Sequence, residues 1–339
     1  MRAQLGIAYG SRQDSANEEI IAIAKLAETH GYSTFFVGES WGRDALTLLT
    51  LVACHTETLK LATGIIPIFS RTPGLIAQSI ASLDILSGGR AILGLGTSGK
   101  TVIENWHGVP YSKPLKMTKT YIEIIRLALS GERVNFDSEE IQLRGFKLNI
   151  IPVQDSIPIF IASLGPKNLQ LTGQIANGWL PIWVHLDYLS KLKQDVAEAA
   201  IGVGRSIADV TIAPQILCRV GESPRDRVLA EDSVKAHIAY YVGGMGTYYS
   251  EVFCRYGYQD EVGKIRDAWK MNNRKLAANL VTDEMVNNIA VVGSIKDCRS
   301  KLEEFRIEGA DMPVVAFPHG TPRSDMEETI IALSPDRSP

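Results

Sequence analysis

Leu61-Ala62-Thr63-Gly64-Ile65-Ile66-Pro67, followed by Ser79-Ile80-Ala81-Ser82-Leu83-Asp84-Ile85-Leu86-Ser87-Gly88-Gly89-Arg90-Ala91-Ile92-Leu93-Gly94-Leu95-Gly96, is the stretch that decides how this chain folds. The first run is short, apolar and closed by a proline, as a buried strand would be. From 74 to 87 apolar residues recur at helical spacing, and Gly88-Gly89 supplies the stop expected at a helix C-terminus. The segment 90–95 is again short and apolar. Strand, helix and strand in that order make a βαβ unit, whose two strands lie parallel.

The alternation continues in both directions. Strands are expected at 5–9, 34–38, 60–66, 90–95, 158–162, 178–182 and 210–220, separated by helices at 15–30, 45–57, 74–87, 118–130, 166–176 and 188–203. Between 133 and 148 the pattern turns hairpin-like, a surface excursion. The stretch 225–288 is mostly helical, tyrosine-rich and interrupted at Gly243-Gly244-Met245-Gly246, so it reads as an insertion. A helix at 295–308 then leads to an eighth strand at 313–317. Eight alternating strands predict an α/β fold, a closed (β/α)8 TIM barrel with a helical insertion between strands 7 and 8. One domain over residues 1–339 is expected, although length alone suggests about two. The active site of such a barrel lies at the C-terminal strand ends.

Apolar residues are 45% of the chain and charged residues 22%, with mean hydropathy +0.02, which excludes a disordered or collagen-like chain. Thirty-five basic against 38 acidic side chains leave a net charge of −3, so no basic field holds nucleic acid or a membrane. Cys54, Cys218, Cys254 and Cys298 stand far apart with no Cys-x-x-Cys pair, which reads as reduced intracellular thiols with no metal site. Met1-Arg2-Ala3-Gln4 leads straight into the first strand, and a cytoplasmic protein is expected.

Gly94-Leu95-Gly96-Thr97-Ser98-Gly99-Lys100-Thr101 satisfies both G-x-x-x-x-G-K-T and G-x-G-x-x-G. A P-loop needs a long helix directly after its lysine, whereas here only 101–106 is free to be helical before Gly108 and Pro110. A dinucleotide fingerprint belongs on the first strand with an acid about 20 residues on, a position that falls near Lys119. The physics common to both patterns is that a glycine-rich turn at a strand end exposes backbone N–H groups to a phosphate. A turn with no ligand is the plain alternative. Glu39, Ser40 and Trp41 stand at the functional end of strand 2, as an acid, a polar contact and a stacking surface. Trp179, Trp183 and His185 fall at or just past strand 6 and are candidates for contact with a substrate. Lys100 and Lys113 are candidates for an anionic cofactor tail, while His107, His237 and His319 show no partner in sequence and the tyrosines of 240–258 are read as packing a dimer contact in preference to lining a pocket.

The opening stretch resembles the bacterial-luciferase-like superfamily. Within it, Ile159-Phe160-Ile161-Ala162-Ser163-Leu164-Gly165-Pro166-Lys167, Ala176-Asn177-Gly178-Trp179, Thr282-Asp283-Glu284-Met285 and Val292-Gly293-Ser294 are similar to the coenzyme F420 (deazaflavin) branch, most of all the methylenetetrahydromethanopterin reductases. The resemblance implies hydride transfer between F420 and a small organic substrate in a barrel enzyme that is a homodimer; an FMN-dependent monooxygenase is the alternative, and a P-loop nucleotide hydrolase the rival from another class. It implies cofactor contacts at Gly64, Ile65, Gly96, Thr97, Ser98, Gly99, Lys100, Thr101, Ala162, Ser163, Leu164 and Gly165, and a cis peptide between Gly64 and Ile65. Three positions depart from the family pattern. Glu39-Ser40-Trp41 replaces an Asp-His pair, Ala8 stands where the reductases carry a glutamate, and Gly99 where an aspartate is common. Losing that histidine argues against the alcohol and sugar-phosphate dehydrogenases of the branch.

Overall fold

The computed structural model describes residues 4–10 and 16–335. Eight strands run parallel: β1 Gly6–Tyr9, β2 Thr34–Val37, β3 Lys60–Thr63, β4 Ala91–Gly96, β5 Ile159–Ile161, β6 Gly178–Trp179, β7 Gln215–Val220 and β8 Val314–Ala316. From β1 to β6 each pairs with the next in sequence, β7 pairs with β8, and β8 returns to β1 through Gly6↔Val314 and Ala8↔Ala316. The expected barrel is therefore formed, and it closes. Its one irregular seam lies between β6 and β7. There the short piece Thr211–Ile212 pairs with β6, the chain kinks at Ala213-Pro214, and β7 proper takes up β8.

The strands are apolar on both faces because both are covered, by helices outside and side chains within. Phe36, Ala62, Ile92, Phe160, Leu180, Ala213, Met312 and Val314 fill the barrel interior. Helices such as Asn17–Thr29, Pro73–Ser87 and Pro114–Leu129 cover the outside. The excursion is the antiparallel hairpin Val134–Asp137 with Gln142–Phe146, tied to the last of these helices by Lys113 and Lys116 on Glu139 and Glu140. Lys113, a candidate for an anionic tail, thus already pairs with two carboxylates.

The insertion consists of helices Pro224–Gly244, Tyr248–Arg255, Gln259–Lys270, Arg274–Asn279 and Asp283–Ile289, which share their own apolar core with the β6 and β7 ends. Two details depart from the sequence reading. Gly243 and Gly244 end a helix instead of starting a loop, and their lack of a side chain serves packing, since a Cβ on either would fall within 2.8 Å of Trp269. Ala290–Gly293 forms a further parallel strand beside the outer half of β7, which the helical pattern before it concealed. No helix among the described residues is long and apolar enough to cross a membrane, and no group of three or more His, Cys, Asp or Glu among them is placed to hold a metal.

Candidate active site

At the C-terminal end of the barrel the interior narrows in side-chain volume, not in width. Above the Phe36, Phe160 and Val314 layer the inward positions are Ala8, Gly38, Gly64, Ala162, Gln215 and Ala316, all half-buried and all but one tiny. Into this space Ile65 projects from a break in the third strand, where the Gly64–Ile65 peptide is cis and pairing resumes at Ile66–Pro67. The resemblance implied that peptide. Ile65 lies on bare glycine: a Cβ at Gly96 would come within 3.0 Å of its Cδ1 and 3.4 Å of the Ala162 Cβ. Beneath it, the Thr63 hydroxyl donates to Gly94 O and accepts from Gly94 N, both at 2.8 Å, locking β3 to β4. The result is a hollow floored by glycine and alanine, with Ile65 at its back.

Two loops open beside the hollow. Residues 97–99 leave β4 with Ser98 at φ +57, and Lys100-Thr101 lead into the π-helix Val102–Trp106. No long helix follows the lysine, so the P-loop reading lacks its structural requirement. Lys100 is mostly exposed and lies 3.8 Å from Glu104. A Cβ at Gly99 or Gly165 would meet nothing within 4 Å, so these glycines leave backbone open rather than relieve a contact. The second loop, Ala162 to Gly165, is held from three sides. Trp179 Nε1 donates to Ser163 O (2.8 Å), Arg255 Nη1 donates to Leu164 O (3.1 Å), and Thr172, whose proton goes to Asn168 O, receives the Ser163 hydroxyl (2.8 Å). The insertion thereby braces a barrel loop.

Glu39 does not present a free acid. Arg71 grips its carboxylate with both guanidinium nitrogens at 2.5 and 2.8 Å, Ala45 N donates to it at 3.0 Å, and Arg71 also pairs with Asp44. Burial opposes charge on Asp44, but hydrogen bonds from the Thr47 amide and hydroxyl together with Arg71 hold its carboxyl below the ordinary range. The carboxylate offered as an acid is therefore held in an ion pair at the loop from β2 to helix Ala45–Ala53. Ser40 and Trp41 ride on that loop, Trp41 with 47% of its surface exposed.

The other tryptophans lie deeper than the sequence suggested. Trp179 has no accessible surface, so it supports the Ser163 carbonyl instead of touching substrate. Trp183, at φ +57, is buried against Tyr241, His237 and Phe253, and its indole N–H has no partner. His185 is buried too: its Nδ1 accepts from Asp187 N and its Nε2 meets Tyr258 OH at 3.1 Å. These residues join the barrel to the insertion, whose tyrosines pack against them and one another.

His237 and His319 do have a partner, namely each other. Their rings stack at 3.9 Å, and His319 N donates to His237 Nδ1 at 3.0 Å. The contact joins an insertion helix to the loop after β8, 82 residues away, which no local spacing reveals. Burial, reinforced by the neighbouring imidazole, pushes His237 well below the usual histidine value, and burial lowers His319. Because the folded pKa is depressed, the unfolded chain binds the proton first, and stability falls as pH drops below about 6.5. Urea unfolding at pH 7 and pH 5 should show His237→Phe losing less stability on acidification than the parent, by about 1–2 kcal/mol. Equal losses would refute the buried neutral imidazole.

With this geometry in view, the likenesses to known proteins fall into line. The family model described as luciferase-like monooxygenase matches residues 3–312. A Mycobacterium tuberculosis protein whose given name proposes coenzyme F420-dependent oxidoreductase activity is 33% identical over 92% of this chain and 93% of its own length. The 5,10-methylenetetrahydromethanopterin reductase of Archaeoglobus fulgidus is 31% identical over 89% of this chain and 90% of its own. Among solved structures, the F420-dependent tetrahydromethanopterin reductase from Methanopyrus kandleri superposes with a TM-score of 0.87 at 24% identity, covering 98% of each chain, a likeness of fold. Matching almost throughout in sequence and in barrel architecture, the chain belongs to the luciferase-like monooxygenase family.

Proposed function

We propose that this chain, as one barrel domain, is an oxidoreductase that moves a hydride between coenzyme F420 and a small organic substrate, for which the named relatives suggest a methylenetetrahydromethanopterin-like compound. The observation that carries the reading is the cradle of Gly64, Gly96 and Ala162 backed by Ile65, with two open glycine loops at adjoining strand ends. When bound, the deazaflavin supplies a two-electron hydride carrier. The protein's part is to bind, orient and dry the ring. Ile65 backs it, the backbone N–H groups of 97–101 and 163–165 hold the phosphate-bearing tail, and Ser40 and Trp41 border the substrate from the β2 loop. Glu39 acts through Arg71 by holding that loop. A cytoplasmic homodimer belongs to the same proposal, supported by Leu75, Ile85 and Leu86 lying exposed on one covering helix.

Titrating the protein with oxidised F420, FMN and ATP, and following tryptophan fluorescence, tests the reading. F420 should quench and saturate, and Lys100→Ala should weaken it less than about tenfold, because an exposed lysine adds only screened charge. FMN binding tighter than F420, or ATP hydrolysis lost with Lys100, would overturn it.

A further inference from the structure

We propose that Gln215 reads the polar edge of the bound ring: its side-chain amide pairs with the imide edge of the deazaflavin's pyrimidinedione. The inference rests on the deazaflavin reading above and adds a residue to it.

The kink at Ala213-Pro214 sets where this side chain goes. Val314 N donates to Pro214 O and Gln215 N to Pro181 O, which starts β7 with Gln215 paired to Val314. Ile216, Cys218 and Val220 then face the core under the outer helices, and alternation turns Gln215 inward above Ala213. From β7 the side chain crosses the interior toward the opposite strand: its Nε2 lies 3.5 Å from where a Gly64 Cβ would stand. A side chain at 64 would also press on the Phe36 Cβ at 3.1 Å, so the glycine leaves room for the amide as well as for the bend.

The amide has no hydrogen bond to another residue, and its atoms are not sealed from the mouth. The inward positions Ala8, Gly38, Ala162 and Ala316 of the same layer carry no polar side chain, and none of the described residues satisfies the amide. A primary amide offers an acceptor oxygen and two donor hydrogens in one plane. Its complement is a carbonyl next to a ring N–H, which is what an imide edge presents. An anionic group would face no cation among these residues, and a purely apolar edge would leave the amide desolvated and unpaired. The polar edge of the ring therefore belongs on Gln215. Flavin and deazaflavin share that edge, so the residue selects orientation and an intact imide, not one cofactor over the other.

The test uses 5-deazariboflavin and its N3-methyl derivative, which removes the ring N–H. Wild-type protein should bind the parent about tenfold more tightly than the derivative by fluorescence titration. Gln215→Leu should bind the parent about tenfold more weakly, lose the preference, and melt no lower than wild type. Equal wild-type affinity for the two compounds overturns the inference, as does an undiminished preference in Gln215→Leu. If that variant does not fold, the wild-type comparison still decides. Failure of F420 itself to bind defeats the deazaflavin reading and this one together, whereas F420 binding with indifference to the N3-methyl group defeats this one alone.

Discussion

Gly94→Ala is expected to cost more than about 4 kcal/mol, beyond what a single substitution usually costs. A Cβ there would lie 1.9 Å from the Thr63 carbonyl oxygen and 3.0 Å from its carbon. Both atoms are backbone of β3, the strand paired with β4, so no side chain can swing aside. Relief requires pulling the two strands apart. That would break the paired Thr63 hydroxyl contacts with Gly94 and disturb the support of Ile65, whose Cγ2 lies 3.4 Å from the same point. Thermal unfolding should shift down by roughly 5–10 °C, or the variant should fail to accumulate in soluble form. Gly99→Ala, five residues along, meets open space and should stay within about 0.5 kcal/mol of the parent. A Gly94→Ala melting point within 2 °C or so of the parent would refute the close strand contact.

Arg71→Met should be the next most damaging. Arg71 is 15% exposed and Glu39 8%, so the change strands a nearly buried carboxylate with only the Ala45 amide. Removing one partner of such a pair costs about 3 kcal/mol. The double variant Glu39→Gln, Arg71→Met should recover part of that loss, since it removes the stranded charge as well. Asp44 adds a pH signature. Its folded pKa is depressed, so its contribution is present above the ordinary aspartate pKa near 4 and is lost as pH falls through the folded value. Without Arg71 the Thr47 hydrogen bonds remain but the cation does not, and acid unfolding should begin at higher pH. Denaturant melts across pH 2–5 check this; coincident acid arms in parent and variant would remove Arg71 from the account.

What could be read without coordinates follows from local periodicity. Apolar runs separated by helical stretches require parallel strands, and eight of them close. The barrel, its insertion and the C-terminal end of each strand were therefore legible; what was missed is a helix that runs on through Gly243-Gly244, a strand hidden behind one at Ala290–Gly293, the break of the seventh strand at Ala213-Pro214 and the helix Arg323–Ala332. The glycine run after β4 was legible as well, and the resemblance carried the cis bond at Gly64–Ile65. Partners distant in sequence were not legible. Glu39 is joined to Arg71 across 32 positions and His237 to His319 across 82, and neither spacing has a period to betray it. Trp179 looked like a mouth residue because strand position was all that could be seen; its burial depends on the Ser163 loop folding over it. Gln215 was invisible for the same reason. Local sequence determines which elements form and in what order, because backbone hydrogen bonding and side-chain alternation are short-range. Which side chains meet inside the mouth depends on closure, since only a closed barrel brings the inward positions of opposite strands, here β3 and β7, to within one side chain's reach.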